Sequence, residues 1–256
     1  MSSSFVDVSG IRLELNRFGQ GPPVLLLHSE EPLELDAPFV AELAKHYELI
    51  IPSPPGFGRS DRPDWVSSPD DIAYVYLALV DKLGFTNLAV LGLSLGGWIA
   101  AEMATKDGGA FGKMILTCPY GVKFGGATDR DIADIWMLPP AEVSRRKWFD
   151  PAKGEHDFKS MPEDVLAIVA RNNESFARFC WEPYMHNPKL KHRLQRVRVP
   201  TLFLWGADDG ITSPDYGTRY AALVVGAGMA VIPQAGHYPH LEQPAIFIAH
   251  VRAFLG

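Results

Sequence analysis

The chain has 256 residues, 47% of them hydrophobic and 21% charged, and carries a net charge of −6 at neutral pH. This balance suits one large folded domain, or a domain with an insertion, and a chain this long buries a core without covalent staples. The acidic charge argues against nucleic acid as a partner, no apolar run reaches the roughly 18 residues that span a bilayer, and residues 1–9 lack the basic-then-apolar order of a secretory signal. A cytoplasmic location is therefore expected. Cys118 and Cys180 allow at most one bridge and read as reduced thiols.

Residues 5–8 and 11–18 predict two strands joined at Ser9-Gly10. In the second, Ile11, Leu13 and Leu15 alternate with Arg12, Glu14 and Asn16, the period of a half-exposed antiparallel strand. Residues 24–27 are apolar at every position, as in a parallel strand covered on both faces. Residues 36–46 predict a helix with Pro38 in its first turn, and 48–51 a short strand. Residues 69–83 place Ile72, Val75, Tyr76, Leu79, Val80 and Leu83 at helical spacing, with Gly84 positioned to end the helix. Then follow strand 88–91, helix 95–105, strand 113–117, strands 201–205 and 229–232, and helix 246–254. The fold class is α/β: a mostly parallel eight-stranded sheet with helices on both faces. Residues 122–196 break the rhythm. They hold Trp136, Trp148 and Trp181, a helical stretch at 162–172 and no apolar strand run, which predicts a helical cap inserted in a core of residues 1–121 and 197–256. Ligands of open α/β sheets bind at the strands' carboxyl edge, where such a cap would sit.

Gly92-Leu93-Ser94-Leu95-Gly96-Gly97 follows a buried strand and opens a helix. A strand turning at once into a helix crowds its own backbone, so glycines flank Ser94 and the hydroxyl projects above the sheet. The helix start supplies free N–H groups where negative charge would develop. A neutral serine needs a base. Of eight histidines, His237 lies in the loop between strand 229–232 and the last helix, within reach of Ser94. His240 is its rival; His46, His156, His186, His192 and His250 fall on surfaces, in the insertion or in the last helix. The base needs a carboxylate to orient it, and Asp208 or Asp209, directly after strand 201–205, each fit. The order Ser94, aspartate, His237 is that of α/β-hydrolases.

With these motifs the chain resembles the α/β-hydrolase superfamily over nearly its whole length, and within it the small cap-bearing esterases and carbon–carbon bond hydrolases. His28-Ser29-Glu30 resembles the oxyanion loop; Pro54-Pro55-Gly56-Phe57-Gly58-Arg59-Ser60 matches the family's Pro-Gly-Phe-Gly-x-Ser turn; Gly92–Gly97 matches the nucleophile elbow; Gly236-His237 with Glu242 and Pro244 resembles the histidine loop. The resemblance implies Ser94 as nucleophile, His237 as base and Asp209 as acid, the aspartate three residues after Gly206. It also implies backbone N–H donors from Glu30 and Leu95 to the oxyanion. Ser29 departs from the glycine usual there. The Glu30 side chain is expected to face away from the developing charge or to meet a cation, with Arg145, Arg146, Lys147, Arg171 and Arg178 as the cationic candidates in the cap. His28 is expected to organise the loop.

The reaction expected first is hydrolysis of a small or medium apolar or aromatic ester through an acyl-enzyme. The alternatives are carbon–carbon hydrolysis of a ring-cleavage product, and a non-hydrolytic binder or lyase on the same fold. Candidate pocket residues are Trp136, Trp148, Phe179, Trp181 and Tyr238. The implied partner is a small-molecule substrate; no cofactor or metal is implied, and a homo-oligomer is compatible with the sequence.

Overall fold

The computed structural model describes residues 2–126, 128–155 and 157–256. Its strands are β1 (Ser2–Val8), β2 (Ile11–Phe18), β3 (Pro23–Leu27), β4 (Glu48–Pro52), β5 (Leu88–Leu93), β6 (Phe111–Thr117), β7 (Thr201–Gly206) and β8 (Gly228–Ile232). They form one eight-stranded sheet in the order β1-β2-β4-β3-β5-β6-β7-β8. β1 pairs with β2, and β2 with β4, antiparallel; every pairing from β4 to β8 is parallel. The helices are α1 (Pro38–Leu43), α2 (Pro69–Leu83), α3 (Leu95–Lys106), α4 (Pro140–Lys147), α5 (Glu163–Cys180), α6 (Leu190–Arg193), α7 (Pro214–Ala221), α8 (Pro239–Glu242) and α9 (Pro244–Leu255).

The unbroken apolar runs are apolar because both faces of the sheet are covered. Leu25, Leu27, Leu88 and Val90 point into a core shared with α2, α3 and α7, whereas Val24, Leu26, Leu91 and Leu93 point into a second core with α1 and α9. Each aliphatic side chain buried this fully contributes about 1.5–3 kcal/mol relative to exposure. β2, near the sheet edge, keeps the expected alternation, with Ile11, Leu13 and Leu15 buried. In α2 the local signals agree with one another. Ser68 Oγ accepts from the Asp71 N–H at 3.2 Å, Asp70 and Asp71 sit in the first turn and Lys82 in the last, and Gly84 closes the helix at φ +71°.

Helices α4, α5 and α6 form the insertion between β6 and β7. α5 runs on to Cys180 rather than ending near 172, because its apolar face continues through Phe176, Phe179 and Cys180. It docks on the Pro-Gly-Phe-Gly-x-Ser turn. Ser175 Oγ donates to Gly56 O at 2.7 Å, Arg171 Nε donates to the same carbonyl at 3.0 Å, and Asn172 Oδ1 accepts from the Gly58 N–H at 2.9 Å. α4 docks on the loops after β7 and β8: Arg146 O accepts from Gly210 N–H at 2.9 Å and Lys147 O from His237 N–H at 2.6 Å. The insertion is thus a cap, fixed to the core at the strands' carboxyl edge. Among the described residues no helix is long and apolar enough to cross a membrane.

Candidate active site

Ser94 stands at the junction of β5 and α3 with φ +50° and ψ −110°, a backbone state costly for a residue with a side chain. The crowding foreseen at the flanking glycines is severe. A Cβ on Gly96 would lie 2.0 Å from Leu27 O, and one on Gly92 would lie 2.7 Å from Gly96 O and from Gly97 Cα. The strained residue is held from behind, its N–H donating to Thr117 O of β6 at 2.8 Å.

His237, in the loop after β8, brings Nε2 within 2.8 Å of Ser94 Oγ. Its Nδ1 lies 2.8 Å from Asp209 Oδ2, in the loop after β7. A carboxylate oxygen only accepts, so Nδ1 carries the proton and Nε2 is left as the acceptor for the serine hydroxyl. Asp209 is fixed in turn by Ile211 N–H at 2.8 Å, Thr212 N–H at 3.0 Å and Thr212 Oγ1 at 2.9 Å. Asp208 is exposed and contributes only its backbone, donating to Ala235 O at 2.9 Å. The choice between the two aspartates therefore falls as the family offset implied: Ser94, His237 and Asp209 form a catalytic triad, and all three are buried.

The remaining histidines do other work. His28 organises its loop, with Nδ1 2.6 Å from Ser29 O, and burial lowers its pKa. His240 is wedged between Phe39 and Phe247, and burial pushes it down to about 3. His46 faces Glu42 and His186 the Tyr184 carbonyl, while His192 is exposed and His250 lies on α9. His156 lies outside the described residues.

The loop after β3 brings Glu30 to Lys147, a cation that sequence reasoning allowed it to meet, and also to Ser94, a contact that reasoning did not foresee. Glu30 Oε2 accepts from Ser94 Oγ at 2.9 Å. Its Oε1 accepts from Tyr238 OH at 2.8 Å, from Tyr120 OH at 3.2 Å and from Lys147 Nζ at 3.3 Å. Burial would raise the Glu30 carboxyl, but the Lys147 charge, His237 and hydrogen bonds from its own N–H and Tyr238 outweigh burial and hold it down at about 2. Lys147 also binds Glu31 Oε1 at 2.9 Å, and the two glutamates raise its pKa against the effect of burial. Of the five candidate cations, Lys147 is the one these contacts bring to the acid cluster. Arg145 and Arg146 bind Glu142, Arg171 binds the Gly56 turn, and Arg178 faces Asp64.

Three more neighbours escaped the sequence. The Tyr120 ring stacks on His237 with centroids 5.0 Å apart. Thr212 braces Asp209 through both its N–H and its hydroxyl. Cys118 has its thiol beside Asp209 and His237, and burial and the Asp209 charge push that thiol well up, keeping it protonated. Tyr120 and Cys118 follow β6 at the carboxyl edge, and that position is the signal by which they were open to discovery.

The proposed pocket aromatics spread outward from this centre. Tyr238 meets Glu30 directly, and Trp148 packs on its ring at 4.9 Å. Phe176 links Tyr120 to Trp136, and Trp136 meets Trp181, which is 56% exposed. Phe179 is buried against Phe57.

A serine with a histidine acceptor, oriented by a buried carboxylate above a doubly covered parallel sheet, defines a serine-hydrolase type of enzyme. The chain belongs to the alpha/beta hydrolase family, whose profile matches residues 24–250. It is 27% identical to the 2-hydroxy-6-oxo-6-phenylhexa-2,4-dienoate hydrolase of Burkholderia cepacia, over 96% of this chain and 93% of that one. It is 25% identical to the 2-hydroxy-6-oxo-2,4-heptadienoate hydrolase of Pseudomonas putida, over 98% and 95%. The fold matches that of a serine hydrolase involved in carbazole degradation with a TM-score of 0.79 at 19% identity, covering 99% of this chain and 98% of the other.

Proposed function

We propose that this enzyme hydrolyses a carbon–carbon bond in a ring-cleavage product, a vinylogous 1,5-diketone acid, rather than the simple ester expected first from the sequence. One observation carries the reading: full-length similarity runs to relatives named as hydrolases of such 2-hydroxy-6-oxo acids, spanning up to 100% of the chain. The charge pattern weakens an objection to it. Glu30 and Glu31 would repel an anionic substrate, and Lys147 neutralises part of that field at the site itself.

In this reading His237 takes the Ser94 proton as Oγ attacks the ketone carbon, and Asp209 stabilises the imidazolium. Backbone N–H groups of Leu95 and Glu30 face the oxyanion; that of Leu95, in the first turn of α3, has no partner within the helix. The carbon–carbon bond breaks with its electron pair delocalised into the conjugated acid, which receives the proton from His237. Water, activated by His237, then cleaves the acyl-serine and releases a carboxylic acid. An ester would follow the same path with an oxygen leaving group. Phe176, Trp136 and Trp148 supply apolar surface for the acyl and leaving portions.

The test sets the two leaving groups side by side. Incubation with a vinylogous 1,5-diketone acid should abolish its visible chromophore and release a carboxylic acid, and Ser94→Ala should lose both. Turnover of aryl esters with the diketone chromophore unchanged would reject the carbon–carbon reading and restore the ester one.

A further inference from the structure

Ser94 has one proton and two acceptors. His237 Nε2 lies 2.8 Å from Oγ, and Glu30 Oε2 lies 2.9 Å from it on the side of the loop after β3. A triad requires only the first. The second is a buried carboxylate whose other oxygen is clamped by two phenols and an ammonium from three separate segments: Tyr120 after β6, Lys147 at the end of α4 and Tyr238 in the histidine loop. A carboxylate with so many donors does not sit beside the nucleophile by default, since burying an ion without such partners is strongly unfavourable. The loop credited by the family resemblance with a backbone donor also places a negative charge beside Ser94.

We propose that Glu30 is a specificity-determining residue of the active site. Its carboxylate opposes additions that build bare negative charge beside Ser94 and favours those that present a hydroxyl it can accept from. The proposal rests on the triad and not on which bond the enzyme cleaves. A fixed anion within hydrogen-bond reach of the attacking oxygen raises the energy of an oxyanion next to it. The same anion stabilises an adduct carrying an O–H donor there, through a charge-assisted hydrogen bond. Lys147 moderates the effect from the cap and thereby tunes the nucleophile.

Two probes of Ser94 separate these terms. A fluorophosphonate forms an Oγ–P bond and expels fluoride while the serine proton goes to His237; its phosphoryl oxygen only accepts. An arylboronic acid forms an Oγ–B bond with no leaving group, the proton again going to His237, and its adduct carries boron hydroxyls that donate. Glu30→Gln should speed fluorophosphonate labelling about tenfold or more and weaken boronic-acid inhibition by a similar factor, with labelling confined to Ser94. Lys147→Met, assayed at a pH high enough to keep Glu30 ionised, leaves that carboxylate less compensated and should slow labelling about fivefold. A role confined to packing would move both probes in one direction in each variant. Melting temperatures accompany both measurements, and the Lys147 variant stands alone if the Glu30 variant does not fold. Glu30→Gln with both probes shifted together or neither shifted overturns the proposal, as does Lys147→Met with unchanged or faster labelling.

Discussion

Asp208 and Asp209 share a loop and a charge, and the fold gives them opposite surroundings. Asp209 is buried with its carboxylate on His237 Nδ1, whereas Asp208 is exposed. Asp209→Asn should lower the rate of Ser94 acylation by orders of magnitude with the fold retained, because an amide in that place sets the wrong tautomer of His237 and stabilises its cation less. Asp208→Asn should stay near wild type and cost below about 1 kcal/mol in stability. Acylation rates measured with matched melting temperatures decide between them; a slow Asp208 variant beside a fast Asp209 variant would refute the assignment. Ser94 and His237 were legible because each stands at the carboxyl end of a recognisable strand. The Glu30 side chain was not, because its orientation depends on Lys147, Tyr120 and Tyr238, residues far from it in sequence that only tertiary packing brings together. Among the basic residues 145–147 nothing in the sequence marks Lys147 as the buried one.

At the scale of elements, local and global signals agree in the core and part in the cap. The period-two run of β2, the doubly apolar β3 and β5, and the capped α2 were readable because each pattern answers to a face that a neighbouring layer covers. The cap's helices were read less sharply, α5 in particular, since its docking partner is a turn rather than a second apolar layer. Two glycine positions test how differently the same residue type serves an element. At Gly96 an added Cβ would lie 2.0 Å from Leu27 O and 2.6 Å from His28 O, both backbone atoms of the strand and loop that carry Glu30. Gly96→Ala should therefore displace β3 from α3 and abolish labelling of Ser94, and loss of the folded state is one form of that result. At Gly84 an added Cβ meets nothing within 4 Å, and only its φ of +71° resists. Gly84→Ala should cost about 1 kcal/mol and leave labelling intact. A Gly96 variant that labels at the wild-type rate would show that the elbow tolerates a side chain there and that the crowding argument fails.

Across the whole molecule, the same burial that builds the site sets its response to acid. His28 and His240 lie inside as neutral rings, with pKa values lowered chiefly by burial, His240 to about 3. The unfolded chain binds protons on both from about pH 6.5 downward and the native chain takes them up only at lower pH, so their contribution is fully present above that value and is lost as pH falls toward the folded pKa. Glu30 acts lower on the scale. Its folded pKa of about 2 against an ordinary 4.5 gives a contribution present above 4.5 and lost between 4.5 and 2. Acid sensitivity should therefore begin with the histidines and deepen with the glutamate. His240 isolates the first term: Phe39 and Phe247 pack on it, and among the described residues its Nδ1 has no hydrogen-bond partner. His240→Leu puts an apolar group in an apolar place and removes one proton from the difference between the two states. One proton is worth about 1.4 kcal/mol per pH unit across the window, so the variant's loss of stability between pH 6.5 and pH 5 should shrink by about 2 kcal/mol. Urea unfolding at pH 7, 6 and 5 measures it directly. Equal slopes for the variant and the parent would mean that His240 is charged in the native protein, and the pH dependence would then have to come from His28 and the carboxylates.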